Sequence, residues 1–179
     1  MNPALPSLLL IALLALAGPV TAQAQTQTLH YPTEDESMFT IKAPGDWEVT
    51  GIDEVGEFGS LESENGSILQ FRAIECENEK EMEAEIEAIS ESLVEFLGEN
   101  YTDIELGDVQ ELEIEGMPAF QLGGDGKDTD GDDVKFVSAI IILGPTTIAE
   151  IWAAAYAEDF RSAEATLGSF KPATAVAAE

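Results

Sequence analysis

Basic residues are scarce in this chain: seven Lys and Arg stand against 36 Asp and Glu in 179 residues, a formal net charge of −29. That shortage excludes partners held by phosphate contacts, so no nucleic acid and no anionic lipid surface is expected; cations and basic proteins are attracted instead. Thiol and imidazole are nearly missing. Cys76 is the single cysteine and cannot form an intramolecular disulfide, and with His30 the single histidine the pair cannot fill a zinc site. Glu75 and Glu77 flank Cys76 and disfavour its thiolate. No Gly-x-Ser-x-Gly elbow precedes a helix, and His30 lies next to the polar lead-in of the mature chain, so nucleophilic catalysis has no base beside a nucleophile. Long apolar runs are also lacking. The stretch Leu8 to Ala17 falls short of the roughly 20 residues that cross a bilayer.

That short run breaks at Gly18-Pro19 and ends in Ala22-Gln23-Ala24, the order of a cleavable secretory signal. Residues 1–24 are expected to be removed after Ala24, leaving a protein of the periplasm or the extracellular space with no membrane insertion. No cysteine follows the run to carry a lipid anchor. What remains has the length of one domain, expected over residues 25–172, with the small-residue tail 173–179 disordered.

Within the domain, Phe39 to Ala43 and Trp47 to Thr50 alternate apolar with polar residues around Pro44-Gly45. Phe58 to Glu62 and Ile68 to Ile74 read as a hairpin joined through Asn65-Gly66. The period then changes. From Glu79 to Gly98, Met82, Ile86, Ile89, Leu93 and Phe96-Leu97 draw one helical stripe, with glutamates opposite and Gly98 as the stop. Alternation returns at Val109, Leu112 and Ile114, then Met117 to Leu122 after a Glu115-Gly116 turn. A Gly/Asp loop spans residues 123–133, followed by strands from Val134 to Leu143 and Thr146 to Tyr156 and a helix from Glu158 to Leu167. No internal repeat is visible. Four strands, a helix, four strands and a helix fit an α+β fold on an antiparallel sheet, not a nucleotide-binding βαβ series. Trp47 and Trp152 lie in strand patterns, which assigns them to packing, Trp47 at one end of the sheet and Trp152 on one face.

Three segments in order, Phe39-Thr-Ile-Lys-Ala-Pro-Gly-Asp-Trp47, Glu115-Gly-Met-Pro-Ala-Phe120 and Leu167-Gly-Ser-Phe170, make the span from Tyr31 to Pro172 resemble the PsbP-like superfamily. The resemblance implies an α/β/α sandwich, an antiparallel sheet flanked by helices, and a role in binding other proteins rather than in catalysis. It carries over no active site.

The Gly/Asp loop holds the one candidate metal site, Asp125, Asp128, Asp130, Asp132 and Asp133, because clustered carboxylates on a Gly-bearing loop suit Ca²⁺. The EF-hand spacing fails: aligning Asp130-Gly131 with its central Asp-Gly puts Gly126 where the first carboxylate belongs and Val137 where the closing Glu belongs. A hairpin tip explains the same composition. The expectation is therefore an exported acidic, non-catalytic binding or accessory protein with a protein partner and no catalytic or cofactor-binding residues. Two alternatives are a Ca²⁺-dependent binding module on that loop and a carboxylate-based hydrolase, which calls for two carboxylates of separated pKa in one pocket.

Overall fold

The computed structural model describes residues 25–52 and 54–173. The expected signal segment, and the tail beyond Ala173, lie outside the described residues. Ala173 itself donates its N–H to the Met38 carbonyl at 2.8 Å.

Eight strands form one antiparallel sheet: β3 (Glu48–Thr50), β4 (Gly59–Glu62), β5 (Ile68–Glu75), β6 (Thr102–Leu106), β7 (Gln110–Ile114), β8 (Met117–Lys127), β9 (Asp133–Gly144) and β10 (Thr147–Tyr156). Their order is β3-β4-β5-β10-β9-β8-β6, with β7 also paired to β8. A second antiparallel sheet holds β1 (Thr26–Tyr31), β2 (Phe39–Pro44) and β11 (Lys171–Pro172) in the order β1-β2-β11. Helix α1 (Glu79–Asn100) covers one face of the large sheet; the small sheet and helix α2 (Phe160–Leu167) cover the other. The expected antiparallel sheet flanked by helices is what the chain forms.

The apolar runs of β9 and β10 explain their central places. Ile148 through Ala155 are buried at every position, as a strand covered on both faces requires. Toward the small sheet, Leu69, Phe71 and Ala73 of β5, Ala149, Ile151, Ala153 and Ala155 of β10, and Val137, Ala139 and Ile141 of β9 join Tyr31, Phe39, Ala163, Leu167 and Phe170 in the main core. Four aromatic rings lock this layer: Tyr31 stacks on Phe39 at 5.1 Å between centroids, Phe170 lies 5.0 Å from Phe39, and Phe71 meets Tyr31 and Phe39 edge-on. Gly59 is required here, since a Cβ on it would stand 2.5 Å from the Phe71 ring. Trp47 is buried in the same core and Trp152 on the opposite face.

Helix α1 starts where its sequence says it should. Asn78 Oδ1 accepts the Glu81 N–H at 3.1 Å and Glu81 Oε2 accepts the Glu77 N–H at 2.6 Å, a reciprocal cap. It ends later than expected: Gly98 sits inside the helix facing open space, and the last turn closes with Tyr101 N–H on the Leu97 carbonyl.

Three further boundaries differ from expectation. β1 begins at Thr26, in the stretch expected to be a polar lead-in, and pairs with β2 along its whole length from Thr26↔Pro44 to Tyr31↔Phe39. β6 forms from Thr102–Leu106, where no strand was expected, with its side chains largely in water. The Gly/Asp loop is shorter than residues 123–133, because β8 runs to Lys127 and β9 starts at Asp133. The Glu115-Gly116 turn is present as a two-residue hairpin with both residues at positive φ, 50° and 81°, the geometry that suits a strand's twist and favours Gly.

Candidate functional site

The acidic hairpin tip holds the carboxylates that the sequence marks as a candidate metal site. Asp125 lies on β8 opposite Lys135 of β9, and the Lys135 ammonium is 2.6 Å from Asp125 Oδ1. Asp133 is held by Lys127 at 2.7 Å. Asp128 caps its own turn: Oδ1 accepts the N–H groups of Asp130 and Asp132, each at 2.9 Å, and Oδ2 accepts the Tyr156 hydroxyl at 2.8 Å. That hydroxyl, with the turn's N–H groups, holds the Asp128 carboxyl below its usual range, and the same bond pushes the Tyr156 phenol up to about 12. Asp128, Asp130, Asp132 and Asp133 line an open concavity with Asn65, Tyr156 and Glu158, while Asp125 stands apart on its strand. Among the described residues no three Asp, Glu, His or Cys side chains converge closely enough to hold a metal ion.

Beside this turn, Asp159 at the start of α2 accepts from Ser63 at 2.6 Å and Ser67 at 2.8 Å, and Asn65 also reaches it. These bonds fasten the β4–β5 hairpin to the end of β10. Cys76 is half-buried, and desolvation, with Glu81 and Glu85 nearby, raises its thiol pKa, which leaves it a poor nucleophile. His30 sits on β1, and its Nδ1 is buried with no partner among the described residues.

A different place concentrates chemistry. On the face under α1, the register sets Arg72 of β5 opposite Glu150 of β10, and Gln70 opposite Trp152. Arg72 Nε donates to Glu150 Oε2 at 2.7 Å; the glutamate side chain is 6% exposed and the arginine 22%. Burial raises the Glu150 pKa and the Arg72 contact opposes the rise, as expected for a carboxylate inside a core held by one partner. The Arg72 guanidinium stacks 4.4 Å from the centre of the Phe58 ring. Its other N–H groups carry no hydrogen bond among the described residues.

Around this pair lies a cleft of about 290 Å³. Gln70, Arg72, Glu150 and Trp152 form its floor, Ile89, Ser92, Leu93 and Phe96 of α1 its roof, and Phe58 one end. Phe96 packs 5.1 Å from Trp152 and is 37% exposed, so it stands at the rim. A second hollow of about 180 Å³ opens on the other side of α1, where Ile89 and Leu93 again contribute. Exposed Val94, Leu106 and Val109 are further apolar residues of α1 and the strand edge beyond it.

Among the described residues Glu150 is the one carboxylate lining the cleft, and it is paired to Arg72, whereas acid–base work of a carboxylate-based hydrolase calls for two carboxylates pushed apart in pKa. What the cleft offers is aromatic walls, a neutral ion pair and N–H donors without a bond among the described residues.

Comparison with solved structures places the fold. The solution structure of cyanobacterial PsbP (CyanoP) from Synechocystis sp. PCC 6803 matches with a TM-score of 0.59 at 12% identity, over 89% of this chain and 99% of that one. A crystal structure from Bacteroides thetaiotaomicron VPI-5482 matches with a TM-score of 0.49 at 10% identity, over 77% of this chain and 46% of the other. No protein-family profile and no curated sequence matches the chain. The chain has a PsbP-like fold. Among the described residues no helix is long and apolar enough to cross a membrane.

Proposed function

We propose that this is an exported, acidic accessory protein that acts by binding a protein partner, at the cell envelope or in the extracellular space, and not by turning over a substrate. One observation carries the reading: the aromatic cleft beside α1, with the exposed Phe96 at its rim and its one carboxylate already paired to Arg72. Buried aromatic anchors in desolvated pockets are where binding energy concentrates. The PsbP-like fold is compatible with an accessory role.

The test is capture by the immobilised mature protein. Phe96→Asp puts a charge at the rim without emptying the core; it abolishes capture and leaves the thermal midpoint within a few degrees. A partner held equally by wild type and variant contradicts the reading. So does ester or glycoside hydrolysis that vanishes in Glu150→Gln.

The acidity itself is read as a solvated surface. Its mutual repulsion is screened by salt, so NaCl and CaCl₂ at matched ionic strength raise the thermal midpoint alike. The Ca²⁺-dependent alternative has the open acidic concavity of Asp128, Asp130, Asp132 and Asp133 as its place. A rise specific to Ca²⁺ moves the function there.

A further inference from the structure

The cleft's chemistry narrows what enters it. Its floor carries one positive and one negative group in contact, so it presents no net charge. An anionic anchor would face the Glu150 carboxylate and a cationic one the Arg72 guanidinium, each at a desolvation cost with no free counter-ion. An uncharged anchor avoids both. Phe58, Phe96 and Trp152 offer ring faces and edges, and Arg72 offers N–H donors that carry no hydrogen bond among the described residues. The cleft therefore suits one flat apolar group next to a carbonyl. Its volume, about 290 Å³, is at the small end of ligand pockets, the size for a single side chain.

Outside the cleft the field is strongly negative. Glu87, Glu91, Glu95 and Glu99 lie exposed along the roof helix, and the whole chain carries −29. A chain that brings a neutral aromatic residue to the cleft gains from basic neighbours, through both steering and contact.

We propose that the cleft receives an aromatic residue of a protein partner flanked by Lys or Arg, its ring between Phe58, Phe96 and Trp152 and its backbone carbonyl accepting from Arg72. This rests on the reading of the cleft as a binding site and adds the chemistry of what it binds. The basic residues set the rate and salt dependence of the encounter, and the aromatic ring supplies the specificity.

Three blocked peptides test it on the mature protein: Lys-Lys-Phe-Lys-Lys, Lys-Lys-Ala-Lys-Lys and Glu-Glu-Phe-Glu-Glu. Calorimetry gives affinities, and proton–nitrogen correlation spectra follow the Trp152 indole and Arg72 Nε–H signals, the indole assigned with Trp47→Phe. The basic aromatic peptide shifts both signals and binds roughly tenfold tighter than its alanine counterpart, the loss expected for one aromatic anchor. It weakens with added salt, and the acidic peptide does not bind. Arg72→Met with Glu150→Leu replaces the ion pair by apolar groups, an exchange buried pairs tolerate; it keeps the fold and removes the preference for Phe over Ala by the same factor of about ten. Phe96→Ala, at an exposed rim position, is a second variant with the same expected loss. Equal binding of the Phe and Ala peptides overturns the proposal, as does binding that leaves the Trp152 and Arg72 signals unmoved. No binding by any peptide also overturns this anchor chemistry, while partner capture sensitive to Phe96→Asp still supports the broader reading.

Discussion

The two faces of the large sheet are built differently. Toward the small sheet, Leu61, Leu69, Phe71, Ala73, Ala139, Ile151, Ala155 and Phe170 are all fully buried, and the rings of Tyr31, Phe39, Phe71 and Phe170 interlock. Toward α1, the sheet carries a buried ion pair with hollows on both sides of the helix, and the helix itself leaves Val94 and Phe96 in water. The first face is packed as a folding core. The second spends the same sheet on polar groups and open space, as the proposed binding role requires.

The contrast breaks most readily from the packed side. Phe71→Ala empties the centre of the aromatic layer and lowers stability by about 3–5 kcal/mol in chemical denaturation. Removing Arg72 alone is the largest expected effect on the other face. Arg72→Ala leaves the Glu150 carboxylate buried without its partner and costs about 3 kcal/mol, the low end for buried pairs because part of the arginine stays in water. Replacing both members together with Met and Leu returns stability close to wild type. Gly59→Ala drives a methyl into the Phe71 ring and costs about 1–3 kcal/mol. Phe96→Ala, at the rim, changes stability by less than about 1 kcal/mol, as surface changes do.

The acidic turn sharpens the picture by pH. The Tyr156 phenol is raised from its ordinary 10.0 to about 12 by its bond to Asp128, so the folded state keeps that proton longer than the unfolded one. Its contribution is complete below pH 10 and lost as pH rises through about 12. The Asp128 carboxyl is lowered, so its contribution is present above its ordinary 3.8 and disappears as pH falls through the lower folded value. Tyr31 and Tyr101 are also raised, chiefly by burial. A tyrosinate absorbance titration therefore shows no phenol ionising at the ordinary value, and Asp128→Asn shifts the Tyr156 transition downward and, to a lesser extent, that of Tyr101. An unchanged curve for that variant contradicts the bond.

Much of the fold was legible because burial writes a pattern. The stripe Met82, Ile86, Ile89, Leu93 marks α1, and the apolar runs of β9 and β10 mark the sheet's centre. β1 and β6 were missed for the opposite reason: on edge strands such as Thr26–Tyr31 and Thr102–Leu106, many side chains face water and no alternation is imposed. Asp125 and Gly126 suit a loop by composition, although the Asp125–Lys135 pairing makes them strand. The cleft was illegible, since Arg72 and Glu150 meet through the register of strands far apart in sequence. One signal was present: Glu150 is a lone charge in the run Thr147–Tyr156, and a charge in a central strand calls for a buried partner.

Native-state hydrogen exchange tests the division between the faces most directly. Amides of α1 are expected to exchange through a local opening well below the global unfolding free energy, while those of β5, β9 and β10 exchange only with global unfolding. Equal protection of α1 and the central strands would show the helix to be part of one uniform core and would contradict the account.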